Sequence, residues 1–284
     1  VNLWIRRVIV MINMDDSHDI YLCQVSDTVS CGACCGLYNL PNLSRAKLEI
    51  LLAKRTEDFA SVPRTEDGIF EFKRKNRGPH RLSRPFPQFH HCPFLGLIGV
   101  QKCRVGCLLH PAAPGNGNVD YRFLSWYGEQ ACHTYFCPAT HKLAKVYQSI
   151  LLQTIDNWYV YGLLVTEHAL LSAFFKEVES RIGRHVAVSD FTENTEAMDA
   201  FGEFAELKSK WPYYRDNSSS PCNFFFDNGL YTRPRVFRAN QDIPLSPYEK
   251  IFKELDSGFS STEEIRAAEQ LLDELFVKTE QAII

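Results

Sequence analysis

Apolar positions along this chain follow two rhythms. From Thr140 onward they recur at helical spacing, with Leu143, Val146, Tyr147, Ile150, Leu151, Thr154 and Trp158 forming one stripe behind a Thr140 cap. Gly162 is the expected bend or stop. A second periodic run covers Glu167 to Ile182 and ends at Gly183, and a third extends from Thr192 to Lys210, where Trp211-Pro212 halts it. Residues 216–221, DNSSSP, read as a mobile connection. Phe224-Phe225-Phe226 and Leu230-Tyr231-Thr232 flank Asp227-Asn228-Gly229, a hairpin signal. Ser246-Pro247-Tyr248-Glu249 and Ser261 with Glu264 are two capping boxes, the second placed before the amphipathic stripe Ile265, Ala268, Leu272 and Leu275.

Before Thr140 the rhythm is broken. Ser44 caps one helix, with Leu48, Leu51, Leu52 and Phe59 largely on one face and Pro63 ending it. After Gly68, Ile69-Phe70-Glu71-Phe72 alternates like a short strand. Residues 73–87 are basic and proline-punctuated, and residues 112–118, AAPGNGN, form a second loop. The pattern predicts an α+β, mainly α fold. Its parts are an N-terminal segment (1–27), a cysteine-rich metal-binding module (28–139) and a mostly helical module (140–284).

Composition changes that picture through cysteine. The chain has 284 residues, ordinary hydrophobic and charged fractions of 45% and 23%, and a net charge of −3, which gives no global pull toward nucleic acid or anionic membrane. Its longest apolar candidate, Tyr159 to Val165, is far short of the ~18–20 residues that span a bilayer. The opening VNLWIRRVIVMIN lacks an h-region followed by a small-residue cleavage site, and Met11 or Met14 is an alternative start. These features predict a cytoplasmic protein, where thiols stay reduced. Ten cysteines then point to metal or redox work rather than a disulfide scaffold.

Eight of the ten lie in one window: Cys31, Cys34, Cys35, Cys92, Cys103, Cys107, Cys132 and Cys137. Cys31-Gly32-Ala33-Cys34-Cys35-Gly36 is the strongest signal, because a C-x2-C turn brings two thiolates to one ion. Gly32 and Gly36 are expected to supply the φ values that the turn needs. Adjacent Cys34 and Cys35 point apart, so one of them starts a second site or binds through a local bend. Cys-Pro occurs at 92–93 and 137–138, and proline stiffens the chain leaving a ligand. Eight thiols fill two four-thiolate sites, or one such site and a redox pair. Zinc and an iron–sulfur cluster both accept them, with His110 or His133 as substitutes around zinc. Cys23 and Cys222 have no partner in sequence and read as buried small hydrophobes.

Cys31-x2-Cys34-Cys35, then Cys92-Pro93-Phe94-Leu95, then Cys103 and His110-Pro111, resembles the YkgJ-type cysteine cluster family of zinc- or iron-chelating proteins. The resemblance covers roughly residues 28–111 and implies Cys31, Cys34, Cys35, Cys92 and Cys103 as ligands. Thr28 stands where the family has its first cysteine, and His110 where it has arginine. No cysteine closely follows Pro111, so Cys107, Cys132 and Cys137 are assigned to the missing ligands.

The leading expectation is therefore a metal-binding protein whose partner is a zinc ion or an iron–sulfur cluster, with a protein partner also open. One alternative is a cluster-dependent redox or group-transfer enzyme. Another is a nucleic-acid adaptor using Lys73, Arg74, Lys75, Arg77, Arg81 and Arg84, although a solvated basic loop accounts for residues 73–84 more simply. His90-His91 offers one further ligand candidate. No phosphate-cradling or dinucleotide fingerprint is present.

Overall fold

The Ser44 hydroxyl accepts the Lys47 amide at 3.4 Å and starts α1, Arg45–Ala60, as its capping chemistry predicts. The computed structural model describes residues 20–40, 44–76, 91–125, 128, 132, 134–215 and 235–284. The expected loop from 77 to 87, the connection at 216–221 and the hairpin around 227–229 lie outside them, as do His80, His90, His133 and Cys222. Helix accounts for 52% and strand for 7%, an α+β, mainly α fold.

Residues 69–72, expected as a strand, belong instead to α2, Glu66–Asn76, and so do Lys73, Arg74 and Lys75 from the expected loop. Four residues cannot separate a period of two from one of 3.6. Ile69 and Phe72, three apart, are both buried while Phe70 and Glu71 face out. Glu66 and Asp67 in the first turn and three cations in the last complement the helix dipole.

Strands β1, Leu95–Ile98, and β2, Arg104–Cys107, form an antiparallel hairpin with Leu95 opposite Cys107 and Ile98 opposite Arg104. α1 packs on β1. The stripe from Thr140 folds as three helices rather than one: α3, Ala139–Lys142; α4, Lys145–Thr154; and α5, Trp158–Leu164. Extended backbone at Leu143 and Ile155 breaks it. The buried Gln148 side chain donates to the carbonyls of Ala139, Thr140 and Leu143, satisfying groups freed by the first break. Gly162 does not stop α5. Its missing Cβ leaves room for the Tyr38 ring, whose hydroxyl donates to the carbonyls of Trp158 at 3.3 Å and Tyr159 at 3.1 Å.

α6, His168–Ile182, ends at Gly183 with φ +71°, where the sequence places its stop. A short helix, α7, Ser189–Thr192, precedes the third run, which folds as α8, Thr195–Lys210, capped by Asn194. β3, Phe237–Arg238, pairs in parallel with β4, Gly258–Phe259. α9, Glu249–Glu254, follows the Ser246 box, and α10, Thr262–Ile283, follows Ser261, which accepts the Glu264 amide. Phe174 touches Phe175, Phe201, Phe204 and Phe276 with ring centroids 4.3–5.4 Å apart, so α6, α8 and α10 meet on aromatic rings. Each such burial contributes about 1.5–3 kcal/mol. Lys208 and Glu167 form an enclosed ion pair at 3.2 Å beside them.

One hydrophobic cluster runs from Leu22 through Phe276, so apolar contact is continuous across residues 139–140. The Tyr161 hydroxyl donates to the Leu22 carbonyl at 2.8 Å, a second polar tie between the two parts. Among the described residues, no helix is long and apolar enough to cross a membrane.

Candidate metal centre

Three short backbone devices gather the cysteines. A turn through Val25 to Val29 folds residues 20–24 back on 30–31, and the Cys31 amide donates to the Cys23 carbonyl at 2.8 Å. Cys31 to Gly36 then closes a tight turn, with Gly36 donating to Ala33 at 2.8 Å and Leu37 to Gly32 at 3.2 Å. Gly36 has φ +76°, as expected of it. Gly32 does not adopt a positive φ. It is needed for space, since a Cβ there would lie 3.0 Å from Leu37 Cδ2 and 3.1 Å from Val105 Cγ1. Finally, the Cys92 amide donates to the Cys35 carbonyl at 2.8 Å, joining Cys92-Pro93 to the turn, and β1 carries Cys107 alongside through its partner strand.

The described cysteines carry free thiols, and most of these sulfurs fall into two neighbourhoods. Burial, then the charges of Cys34 and Cys137, together push Cys23 up to about 12. Cys31 is raised by burial and then by Cys34 and Cys23, and Cys137 by burial and by Cys34. Cys23, Cys31, Cys34 and Cys137 thus sense one another. Burial, then the charges of Cys132 and Cys34, raise Cys92 to about 11; burial, then Cys92 and Cys132, raise Cys107 to about 12; and Cys35 is held up by Cys34, burial, Cys92 and Cys107. These influences join Cys35, Cys92, Cys107 and Cys132 in a second set, with Cys34 bridging it to the first.

Cys34 and Cys35, expected to point apart, instead share a hydrogen bond between their sulfurs. The Cys35 thiol donates, which lowers Cys34 below the ordinary thiol value and holds Cys35 well above it. Backbone amides aim at sulfur repeatedly. Ala33 N–H meets Cys31 Sγ at 3.4 Å, and the backbone amides of Phe94, Leu109 and Ala139 partly offset the rise that burial gives Cys92, Cys107 and Cys137.

Cys103 belongs to neither neighbourhood. Its thiol donates to the Asp27 carbonyl at 3.0 Å. Cys103 precedes β2 and Cys107 ends it, so the strand holds them roughly 13 Å apart at about 3.3 Å per residue. Cys23, which the sequence gave no partner, takes a place in the first group; only the 25–29 turn brings it there. Thr28 is exposed on that turn. His110 accepts the Ala112 amide at 3.1 Å on the surface. His91 is held between two groups that are not metal ligands: Nδ1 donates to the Gly36 carbonyl at 2.9 Å while Nε2 accepts Arg55 Nη1 at 2.8 Å. From the basic stretch, Lys73 donates to the Leu124 and Ser125 carbonyls, and Lys75 pairs with Glu71 at 2.8 Å.

Among the described residues, no group of three or more histidine, cysteine, aspartate or glutamate side chains is arranged to hold a metal ion as it stands. The sulfurs are neighbours, not a closed shell. The chemistry of the donor set nevertheless suits a thiolate-bound metal: soft donors in fours, amide donors to sulfur, and proline after two ligands. No family model, curated protein or solved structure matches this chain.

Proposed function

We propose that this chain is a metal-binding protein. Two thiolate groups, Cys23, Cys31, Cys34 and Cys137 in one and Cys35, Cys92, Cys107 and Cys132 in the other, hold zinc or an iron–sulfur cluster. The observation that carries the reading is the cluster of free, partly or fully buried thiols around the 31–36 turn, where the Ala33 amide meets Cys31 Sγ at 3.4 Å and the Cys92 amide ties the Cys92-Pro93 segment to Cys35. A neutral thiol is a weak acceptor and a buried small hydrophobe has no use for such a donor, whereas a metal-bound thiolate is stabilised by it. Protonated thiols have nothing to draw them into a tetrahedron. A cation supplies that attraction, and the displaced protons pass to solvent.

Metal and acid-labile sulfide analysis of anaerobically purified protein tests the reading. Stoichiometric zinc without colour identifies zinc, and iron with sulfide and visible absorbance identifies a cluster. Cys107→Ser and Cys137→Ser are each expected to remove part of the metal, because they belong to different groups. Protein that is metal-free as purified, takes up neither metal, and melts identically with and without chelator would refute the proposal.

A further inference from the structure

Backbone register pairs two of the thiols. Gln24 and Ser30 form an antiparallel bridge, closed by the Val25 amide on the Val29 carbonyl at 3.0 Å and the Cys31 amide on the Cys23 carbonyl at 2.8 Å. One step outward along both segments, Cys23 therefore stands directly opposite Cys31. Such a hydrogen-bonded pair has Cα atoms about 5.5 Å apart, inside the range of roughly 4.4–6.8 Å that a disulfide spans. Alternation across the bridge fixes the face the two side chains share. The Gln24 side-chain amide donates to the Val105 carbonyl at 3.0 Å, and the Ser30 hydroxyl accepts the Val105 amide at 2.8 Å, so their face of the bridge lies on β2. Cys23 and Cys31 occupy the other face together. Both thiols are free, and neither residue is fully buried. Solvent is close by, for Tyr21, two residues before Cys23, has 55% of its surface exposed.

We infer that Cys23 and Cys31 are a redox pair, closed by a peroxide into a cross-strand disulfide that staples residues 20–24 to the 31–36 turn. The Cys23 thiolate attacks one oxygen of hydrogen peroxide and the O–O bond breaks. Hydroxide leaves and becomes water with the proton that the thiol gave up, and Cys23 is left as a sulfenic acid. The Cys31 sulfur then attacks the sulfenic sulfur and expels its hydroxyl, which takes the Cys31 proton as a second water. One peroxide is reduced, two thiols are oxidised to one S–S bond, and two waters form. Burial raises both thiols above the ordinary range, so thiolate is scarce at neutral pH. The bond therefore forms slowly, under sustained peroxide. No bound metal is needed for it, and a disulfide excludes an ion from the same two sulfurs.

Mass spectrometry on the full-length chain tests the pairing. Protein held in chelator is treated with hydrogen peroxide, its remaining thiols are alkylated, and it is cut before aspartate. The cut at Asp27 separates Cys23 from Cys31, Cys34 and Cys35. The expected product is residues 19–26 joined to the fragment that begins at Asp27, two hydrogens lighter than the two reduced fragments and parted by a reductant. Cys31→Ser is expected to abolish the link, whereas Cys34→Ser and Cys35→Ser keep it. In urea, where the register is lost, the partners of Cys23 are expected to spread over the other thiols. No link at Cys23, an equal yield in Cys31→Ser, or the same selectivity in urea overturns the pair. If Cys31→Ser does not fold, fragmentation of the linked product from the unmutated chain names the partner: Cys31 supports the pair, and any other thiol ends it.

Discussion

The two parts of this molecule share a hydrophobic cluster but hold their interiors together by different means. Between α6, α8 and α10 the interior is phenylalanine on phenylalanine, delivered by capped amphipathic helices, and burial alone accounts for it. Around the Cys31–Gly36 turn the interior is sulfur, amide and arginine, on short strands and turns with little regular structure. The contrast is between a half packed on aromatic rings and a half in which partly or fully buried thiols pack against the same apolar cluster on short strands and turns.

Cutting the aromatic side is the severest test of that division. Phe174→Ala is expected to cost about 3–5 kcal/mol in urea unfolding while leaving metal content unchanged. Lost metal would mean that the two interiors are energetically one. A smaller effect concerns pH. Burial raises Cys23, Cys92 and Cys107 from an ordinary value near 9 to about 11–12. Chelated, folded protein therefore keeps protons that the unfolded chain gives up above pH 9. Its stability should fall as pH rises from about 9 toward 12, and metal-loaded protein should not show this fall, since its thiols are already deprotonated. Melting temperatures with and without chelator, at pH 8 to 11, check the sign. The smallest effect is expected at Cys103, which lies outside both groups. Cys103→Ser should change stability by no more than about 0.5 kcal/mol and leave the metal count as it was. A lost equivalent of metal would reinstate it as a ligand.

The helical part was legible because its signals are local. Gly183 stops α6 at one residue, and Ser261 with Glu264 opens α10 within four. The errors arose where local patterns are short or ambiguous. Ile69 to Phe72 fits a strand and a helix equally, and only the flanking charges of α2 decide. One stripe after Thr140 became three helices because the extended residues Leu143 and Ile155 carry no proline or glycine to mark them. The site was half legible. The C-x2-C-C spacing marked the turn at 31–36, but Cys34 and Cys35, expected to point apart, share a hydrogen bond there. Cys23 gave no signal because its place beside Cys31 depends on the 25–29 turn, and spacing alone does not say that β2 will separate Cys103 from Cys107.

The phenol of Tyr161 is bonded to the Leu22 carbonyl, 139 positions earlier, and that of Tyr38 to carbonyls at 158 and 159. A ribosome therefore finishes every cysteine of both groups before it makes the segment that closes over them. The enclosure of the thiol-rich half therefore waits for α5, which is made while a long stretch of the chain is still to follow.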